Sequence, residues 1–216
     1  GKDNPILIND ERFAPAGVLA PKNAADLAFT MHMLSWLSPK GTAAIVEFPG
    51  ILFRSGAEQK IRQYMVDNNY VDSIIQLPSG LFFGTSIATC IIVLKKNKTD
   101  NSILFLDASN ESVPNPNKMK NGTNTNRLSD GNIDNIINYL KERKSIDNIS
   151  YLATYDEIKN NDYNLAINTY LASNIDEKII DISEINKELS NIVPRQQELR
   201  EELEKIIKEL EEDYYE

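Results

Sequence analysis

The sequence predicts an α/β fold: a mixed sheet carrying an antiparallel hairpin, followed by a helical C-terminal extension. Three observations predict it. Residues 42–96 read strand, helix, strand, aromatic-glycine loop, strand, and two apolar strands flanking one amphipathic helix are the sequence form of an α/β unit with a largely parallel sheet. The loop before the third strand, about eight residues, is too short for a crossover helix, so that strand returns antiparallel beside the second. From Ile182 the apolar residues change to heptad spacing, which marks a separate helical arm.

Residues 1–22 mix Pro, Gly, Asn and Asp with scattered apolar residues and read as an ordered loop. Asn23 reads as an N-cap, with Asp26 three residues on, for a helix over 24–37 that sets Leu27, Met31, Leu34 and Leu37 on one face. Pro39-Lys40-Gly41 ends it. Residues 42–48 are nearly all apolar, the pattern of a strand covered by helices on both faces. Ser55 and Glu58 form a second capping box for a helix to about residue 68. Strands follow at 71–77, 87–96 and 102–107, and Lys95, Lys96 and Lys98 mark the exit of the second of these into water. Residues 110–127, rich in Asn, Pro, Ser and Thr and carrying Lys118, Lys120 and Arg127, read as an exposed loop. A helix over 131–143 closes the compact part. Thr154 and Glu157 cap a short helix, and the aromatics of 162–171 are spaced to pack against the body. The chain thus divides into a compact part (1–145), a packing and linking segment (146–181) and a heptad-patterned arm (182–216).

In the arm, Ile182, Ile185, Leu189, Ile192, Gln196, Leu199, Leu203, Ile206 and Leu210 alternate spacings of three and four, the seam of a coiled coil. Gln196 is its one polar member. Pro194 either ends one helix and starts another or kinks a single helix. The seam predicts docking on a partner through Ile185, Leu189, Ile192, Leu199, Leu203, Ile206 and Leu210; a helix folded back on its own domain is the alternative the pattern leaves open.

Composition narrows the function. An apolar fraction of 41% in 216 residues supports a real core. Cys90 is the only cysteine, so disulfides are excluded and a reducing, cytoplasmic location is the default. No run approaches the ~18 apolar residues of a membrane span. Residues 1–100 carry ten Lys/Arg against nine Asp/Glu, and residues 101–216 thirteen against twenty-three. By bulk electrostatics the second half repels phosphate, which makes it a poor nucleic-acid binder.

Short chemical motifs are few. His32, the only histidine, and Cys90 offer no metal-ligand spacing, so no metal site is predicted. There is no phosphate loop, no nucleophile elbow and no G-x-G-x-x-G. What remains are residues at the carboxyl ends of strands, where open α/β sheets place ligands: Glu47, Phe48, Pro49 and Gly50 after the first, and Leu77, Pro78 and the following loop after the second.

The run DNPILINDERFAPAGVLAPKNAADLAFTMHMLSWLSPKGTAAIVEFPGILFRSGAEQKIRQYMVDNNYVDSIIQLPSGLFFGTSIATCIIVLKKNKTD, with the later NDYNLAINTYL, resembles the modification subunit of type I restriction–modification systems, an adenine-N6 DNA methyltransferase. The resemblance covers roughly residues 3–171; the tail resembles that family's C-terminal helices only in kind. It implies a partial doubly wound, Rossmann-like methyltransferase sheet, S-adenosylmethionine as cofactor, and a target adenine flipped out of the duplex. It further implies an aromatic in the hairpin loop pressing on the flipped base: Phe83 or Phe82, with Gly84 and Thr85 shaping the turn. Asp26, Leu27 and Phe29 correspond to the segment lining the cofactor and base pocket, and Pro49 and Gly50 to the strand end near the base. The family's Asn-Pro-Pro-aromatic motif and cofactor glycines are absent, and PNPN at 114–117 sits in the wrong place. The resemblance therefore implies a C-terminal part of the subunit that begins after the catalytic loop, holds no catalytic residue, binds no cofactor and is inactive by itself. The family's partners are a DNA-specificity subunit, a nuclease subunit and DNA within their complex. Self-association through an exposed sheet edge or the tail is also expected. The competing reading is a non-enzymatic α/β interaction module that assembles through its helical tail.

Overall fold

The computed structural model describes residues 5–117, 122–171 and 182–214; the side chains of 5, 182–188 and 208–214 lie outside that description, as do Lys118 and Lys120. Two compact units divide the chain, Gly1–Ser173 and Asn174–Glu216.

The first unit is built on a five-stranded sheet. Its strands are β1 (Thr42–Glu47), β2 (Val71–Gln76), β3 (Cys90–Lys95), β4 (Ile103–Asp107) and β7 (Ser150–Ala153), in the order β1-β3-β2-β4-β7. A two-residue ladder, β5 (Val113–Pro114) with β6 (Asn126–Arg127), stands apart within the long loop. β3 runs antiparallel to both β1 and β2, and β2 runs parallel to β4. The mixed sheet and its hairpin are as expected, with two differences. The sheet is not largely parallel, since of its four pairings only β2 with β4 is parallel, and the strand order also differs. The returning strand inserts between β1 and β2, which point the same way without touching. β3 suits an interior place because it is apolar on both faces: Cys90, Ile92 and Leu94 on one, Ile91 and Val93 on the other.

Helices α1 (Asp26–Trp36) and α2 (Ala57–Asp67) cover one face. Leu27, Met31 and Leu34 of α1, and Ile61 and Met65 of α2, join Ile74, Ile92, Leu94 and Phe105 in the main core. Residues 163–171 complete that layer, with Leu165 and Ile167 buried and the Tyr170 ring stacked on Phe105 at 4.0 Å. Each such buried side chain contributes about 1.5–3 kcal/mol. Helix α3 (Asp130–Glu142) covers the other face over β2 and β4, through Ile136 against Ile75, Leu77 and Leu106. β7 and the short α4 (Tyr155–Asn160) follow, so the segment read from sequence as packing and linking (146–181) also gives the sheet a strand, through residues 150–153.

Several local expectations are corrected. β1 is a margin strand, not one sandwiched by helices: α3 sits over β2 and β4, which leaves Ala44 and Val46 (47% exposed) on an open face. Asn23 does not cap α1. The N-cap is Ala25 without a side-chain bond, and Asp26 takes the first helical position, where a carboxylate meets the positive end of the helix dipole. Ser55 does not cap α2 either, because Gly56 (φ +76°) opens the helix and Glu58 pairs with Arg54 at 3.3 Å. The box at Thr154 and Glu157 is formed as expected, and an unforeseen one joins Ser129 and Asn132 at the start of α3. The lysines after β3 do not simply emerge into water. Lys96 Nζ donates to the Leu37 carbonyl at 2.6 Å, and Lys98 Nζ to those of Val71 and Ser102 at 2.6 and 2.8 Å. Burial pushes the Lys98 ammonium down to about 8.

The second unit contains α5 (Ile182–Tyr214), a single helix with Pro194 inside it. Of the two readings of Pro194, the continuous helix is the one observed. Leu189, Ile192, Leu199, Leu203 and Ile206 are all about half-exposed along it, while the side chains of Ile185 and Leu210 lie outside the described residues.

Candidate functional site

The strand register brings several loops to one end of the sheet. Glu47 pairs with Cys90, Cys90 with Gln76, and Gln76 with Asp107, so the carboxyl ends of β1, β2 and β4 form a row with the start of β3. The segments after β1 and between β2 and β3 leave from that row. The N-terminal half of α1 reaches it as well, where Thr30 Oγ1 donates to Glu47 Oε1 at 2.9 Å.

The β2–β3 loop is held from behind by a distant part of the chain. The Asn126 backbone N–H donates to the Gly80 carbonyl (3.0 Å), Asn126 Nδ2 to that of Ser79 (2.9 Å), and Thr123 Oγ1 to that of Phe82 (3.2 Å). Gly80 has φ +66°, and a Cβ there would collide with Thr125 Oγ1, so glycine allows both the turn and the close approach. With its backbone fastened on this side, the loop turns its aromatics outward. Phe82 is 40% and Phe83 75% exposed. Gly84 (φ +87°) supplies the turn after them, and Thr85 Oγ1 accepts from the Ile87 N–H at 3.1 Å. Neither phenylalanine plugs the sheet.

After β1, Phe48 and Phe53 are exposed on either side of a 3-10 turn, Pro49–Leu52, that buries Ile51 and Leu52 and leaves Pro49 and Gly50 half-buried. On α1 the three residues singled out from sequence part company. Asp26 is half-buried at the helix start, Leu27 is fully buried in the core, and Phe29 projects from the outer side at 67% exposure. Topology thus brings Asp26, Pro49, Gly50, Phe82, Phe83, Gly84 and Thr85 to one end of the sheet, and puts Leu27 to packing.

Sequence reasoning noted Glu47 by its place at a strand end but gave it no role. It is buried beside Thr30, and desolvation raises its pKa from the ordinary 4.5, opposed by the Thr30 hydrogen bond and assisted by the Asp26 charge. The signal was an acid closing an otherwise apolar strand. Cys90, whose Sγ lies 3.5 Å from the Glu47 carbonyl, is pushed up to about 12, chiefly by burial, and is no thiolate nucleophile. Because the folded state holds the Glu47 proton more tightly than the unfolded chain does, stability falls as pH rises from 4.5 through the raised value. Glu47→Gln keeps the acceptor for Thr30 without the charge. We expect this variant to melt about 2–4 °C above the wild type at pH 7 and to lose that advantage below pH 4.5, as read by thermal melts across pH. An advantage that persists unchanged in acid would rule out titration of Glu47 as its source.

Among the described residues no group of His, Cys, Asp and Glu could hold a metal, and no helix is long and apolar enough to cross a membrane.

A model of the N-6 DNA methylase family matches residues 1–178. The chain is similar to the type I restriction enzyme MpnII methylase subunit of Mycoplasma pneumoniae, at 44% identity over 209 residues, 96% of this chain and 37% of that protein. It is also similar to the MjaVIII methylase subunit of Methanocaldococcus jannaschii, at 34% identity over 79% of this chain and 29% of that protein. In structure it matches the type I restriction-modification system methyltransferase subunit from Streptococcus thermophilus with a TM-score of 0.73 and 41% identity, over 78% of this chain and 35% of that one. The chain spans about a third of the length of the curated relatives it matches.

Proposed function

This chain belongs to the N-6 DNA methylase family, and from that premise we propose that it is the C-terminal part of the adenine-methylating subunit of a type I restriction–modification system. Its share of the work is the receiving side of the flipped adenine. The observation that carries this is the outward-facing pair Phe82 and Phe83 on a turn fastened from behind, at the carboxyl end of the sheet.

The chemistry sets what such a turn does. The exocyclic amine of adenine is a weak nucleophile, since its lone pair is delocalised into the ring, and the base must leave the stack to be reached. An aromatic face waiting at the pocket offsets lost stacking by about 1–3 kcal/mol. Phe83, the more exposed ring, takes that part, with Phe82 beside it and Gly84 and Thr85 holding the bend. Pro49 and Gly50 give the pocket a second wall. Methyl transfer itself draws on S-adenosylmethionine, which supplies the electrophilic methyl group when bound. The described residues fit that cofactor poorly by themselves: the buried carboxylate at this end, Glu47, is already engaged by Thr30, and Asp26 and Phe29 are too few to enclose a ligand of that size. Neither the Asn-Pro-Pro-aromatic motif nor the cofactor glycines occur in the 216 residues, and no step is assigned to this chain's own groups beyond holding the base.

Assembly follows the family. The half-exposed seam of α5 is the docking surface for the DNA-specificity subunit, which selects the target sequence, and the nuclease subunit joins that complex. Among the described residues no strand pairs with the outer side of β1, and self-association by backbone pairing would use it.

The test is labelled methyl transfer to duplex DNA. A longer subunit that contains this sequence and the Asn-Pro-Pro-aromatic motif, assembled with its specificity subunit, should incorporate label at adenine N6. The 216-residue chain should incorporate none above background. Substantial incorporation by the short chain would overturn the division of labour, and none by the longer assembly would overturn the assignment itself.

A further inference from the structure

We propose that the end of the sheet opposite the aromatic turn binds a small phosphate monoester carried on a flat apolar body, the chemistry of a mononucleotide. The site is a cavity of about 730 Å³ that runs from the start of β1, past the start of β2 and the end of β3, to the carboxyl end of α3. That volume is in the range of small-molecule sites. The inference goes beyond the reading of the aromatic end and does not depend on it.

Charge carries the argument. In a chain of formal net charge −9, this one cavity gathers Lys40, Lys95, Lys98, Lys141 and Arg143. Two carboxylates line it, and both are engaged. Asp72 meets Lys95 Nζ and Arg143 Nη1, each at 3.1 Å, and Asp100 accepts from the Ser102 N–H at 2.9 Å. Lys98 is thereby left without a counter-ion. Its half-buried ammonium makes no ion pair and donates only to the Val71 and Ser102 carbonyls, at 2.6 and 2.8 Å, with one N–H to spare. A charge taken out of water ordinarily has a partner of opposite sign. Lys40 and Lys141, both exposed, also form no ion pair among the described residues. The carboxyl end of α3 offsets about half a charge, which leaves the positive excess in place. Ammonium groups with N–H to spare suit a group with three acceptor oxygens and close to two negative charges, which describes a phosphate monoester better than a carboxylate. Another part of the lining is apolar: Val93, Ile137 and Leu140, with Ile137 still 39% exposed. A flat apolar body laid there would cover it while the phosphate meets the lysines.

The experiment is calorimetric titration of the 216-residue chain with AMP, inorganic phosphate and adenosine at about 50 mM salt, where screening is weak. AMP should bind with a Kd below about 1 mM, inorganic phosphate several-fold more weakly and adenosine not measurably. Lys40→Gln with Lys141→Gln removes two exposed charges that hold no partner. This double variant should keep the wild-type melting temperature and weaken AMP binding roughly tenfold. Lys98→Met should weaken it further; should that variant fail to fold, the double variant decides. The proposal falls if AMP does not bind, if adenosine binds as well as AMP, or if the double variant binds AMP as the wild type does. Inorganic phosphate binding as tightly as AMP would also overturn it, since the apolar wall would then have no part. Binding of AMP at the aromatic end would be indifferent to these lysines, so it cannot imitate the pattern.

Discussion

Replacing Arg62 with alanine should cost about 3–5 kcal/mol of folding free energy, a large part of the ~5–15 kcal/mol that a domain of this kind possesses. The guanidinium is 2% exposed, and it acts as a staple. Its Nε donates to the Tyr163 carbonyl at 3.0 Å and Nη1 to the Ile51 carbonyl at 2.7 Å, so one side chain of α2 fastens both the turn after β1 and the segment after α4. That segment needs fastening. Asp162 and Tyr163 both sit at positive φ, +54° and +55°, a conformation that costs non-glycine residues free energy and persists only when the surroundings enforce it. Truncation removes two charge-assisted donors, leaves two buried carbonyls unpaired and opens a cavity. The loss should appear in urea unfolding as a lower midpoint with an unchanged slope, since the surface exposed on unfolding is the same. A loss under about 1 kcal/mol would mean that water fills the site and that the staple is dispensable. Because the turn so held contains Pro49 and Gly50, the same variant should also loosen the second wall of the proposed pocket.

How much of this was legible in the sequence depends on how local each feature is. The hairpin was readable because its signals lie within thirty residues: two apolar runs and a loop too short to cross over. The position of β3 between β1 and β2 was not, since strand order is settled by which strand is apolar on both faces when the layers close. β7 was invisible because Ser-Tyr-Leu-Ala has no strand pattern of its own and gains its place from pairing with β4. The capping motifs show the same limit. Thr154 with Glu157 and Ser55 with Glu58 have identical spacing, yet only the first forms a box, because a nearby arginine claims Glu58 and a glycine at positive φ starts α2. At the candidate site, sequence located the phenylalanine turn by resemblance. Its outward direction is set by Thr123 and Asn126, some forty residues later, which no local pattern reveals. Glu47 was legible as a position and not as a chemistry, for its raised pKa comes from burial beside a helix on another segment.

In the longer, assembled enzyme, Phe83→Ala should lower kcat/KM for methyl transfer by about 10- to 100-fold, while Phe82→Ala should lower it less. The size follows from base–aromatic stacking, about 1–3 kcal/mol per base, with 1.36 kcal/mol per tenfold in rate. The direction of the comparison follows from exposure, since Phe83 offers most of its ring to solvent and Phe82 less than half. Folding should be nearly untouched: a side chain that is 75% exposed has little burial to lose, and surface substitutions generally stay within about 0.5 kcal/mol. A merely structural role would show the opposite balance, with reduced stability and unaltered turnover. The substrate offers a sharper discrimination. A mismatch opposite the target adenine lowers the cost of extruding it, so an enzyme that has lost its means of trapping the flipped base should recover a good part of its rate on mismatched DNA. A wild type that traps the base through Phe83 should gain much less. If Phe83→Ala is no better on a mismatch than on a perfect duplex, the ring does not act on the flipped base, and the outward turn of the β2–β3 loop must serve some other contact.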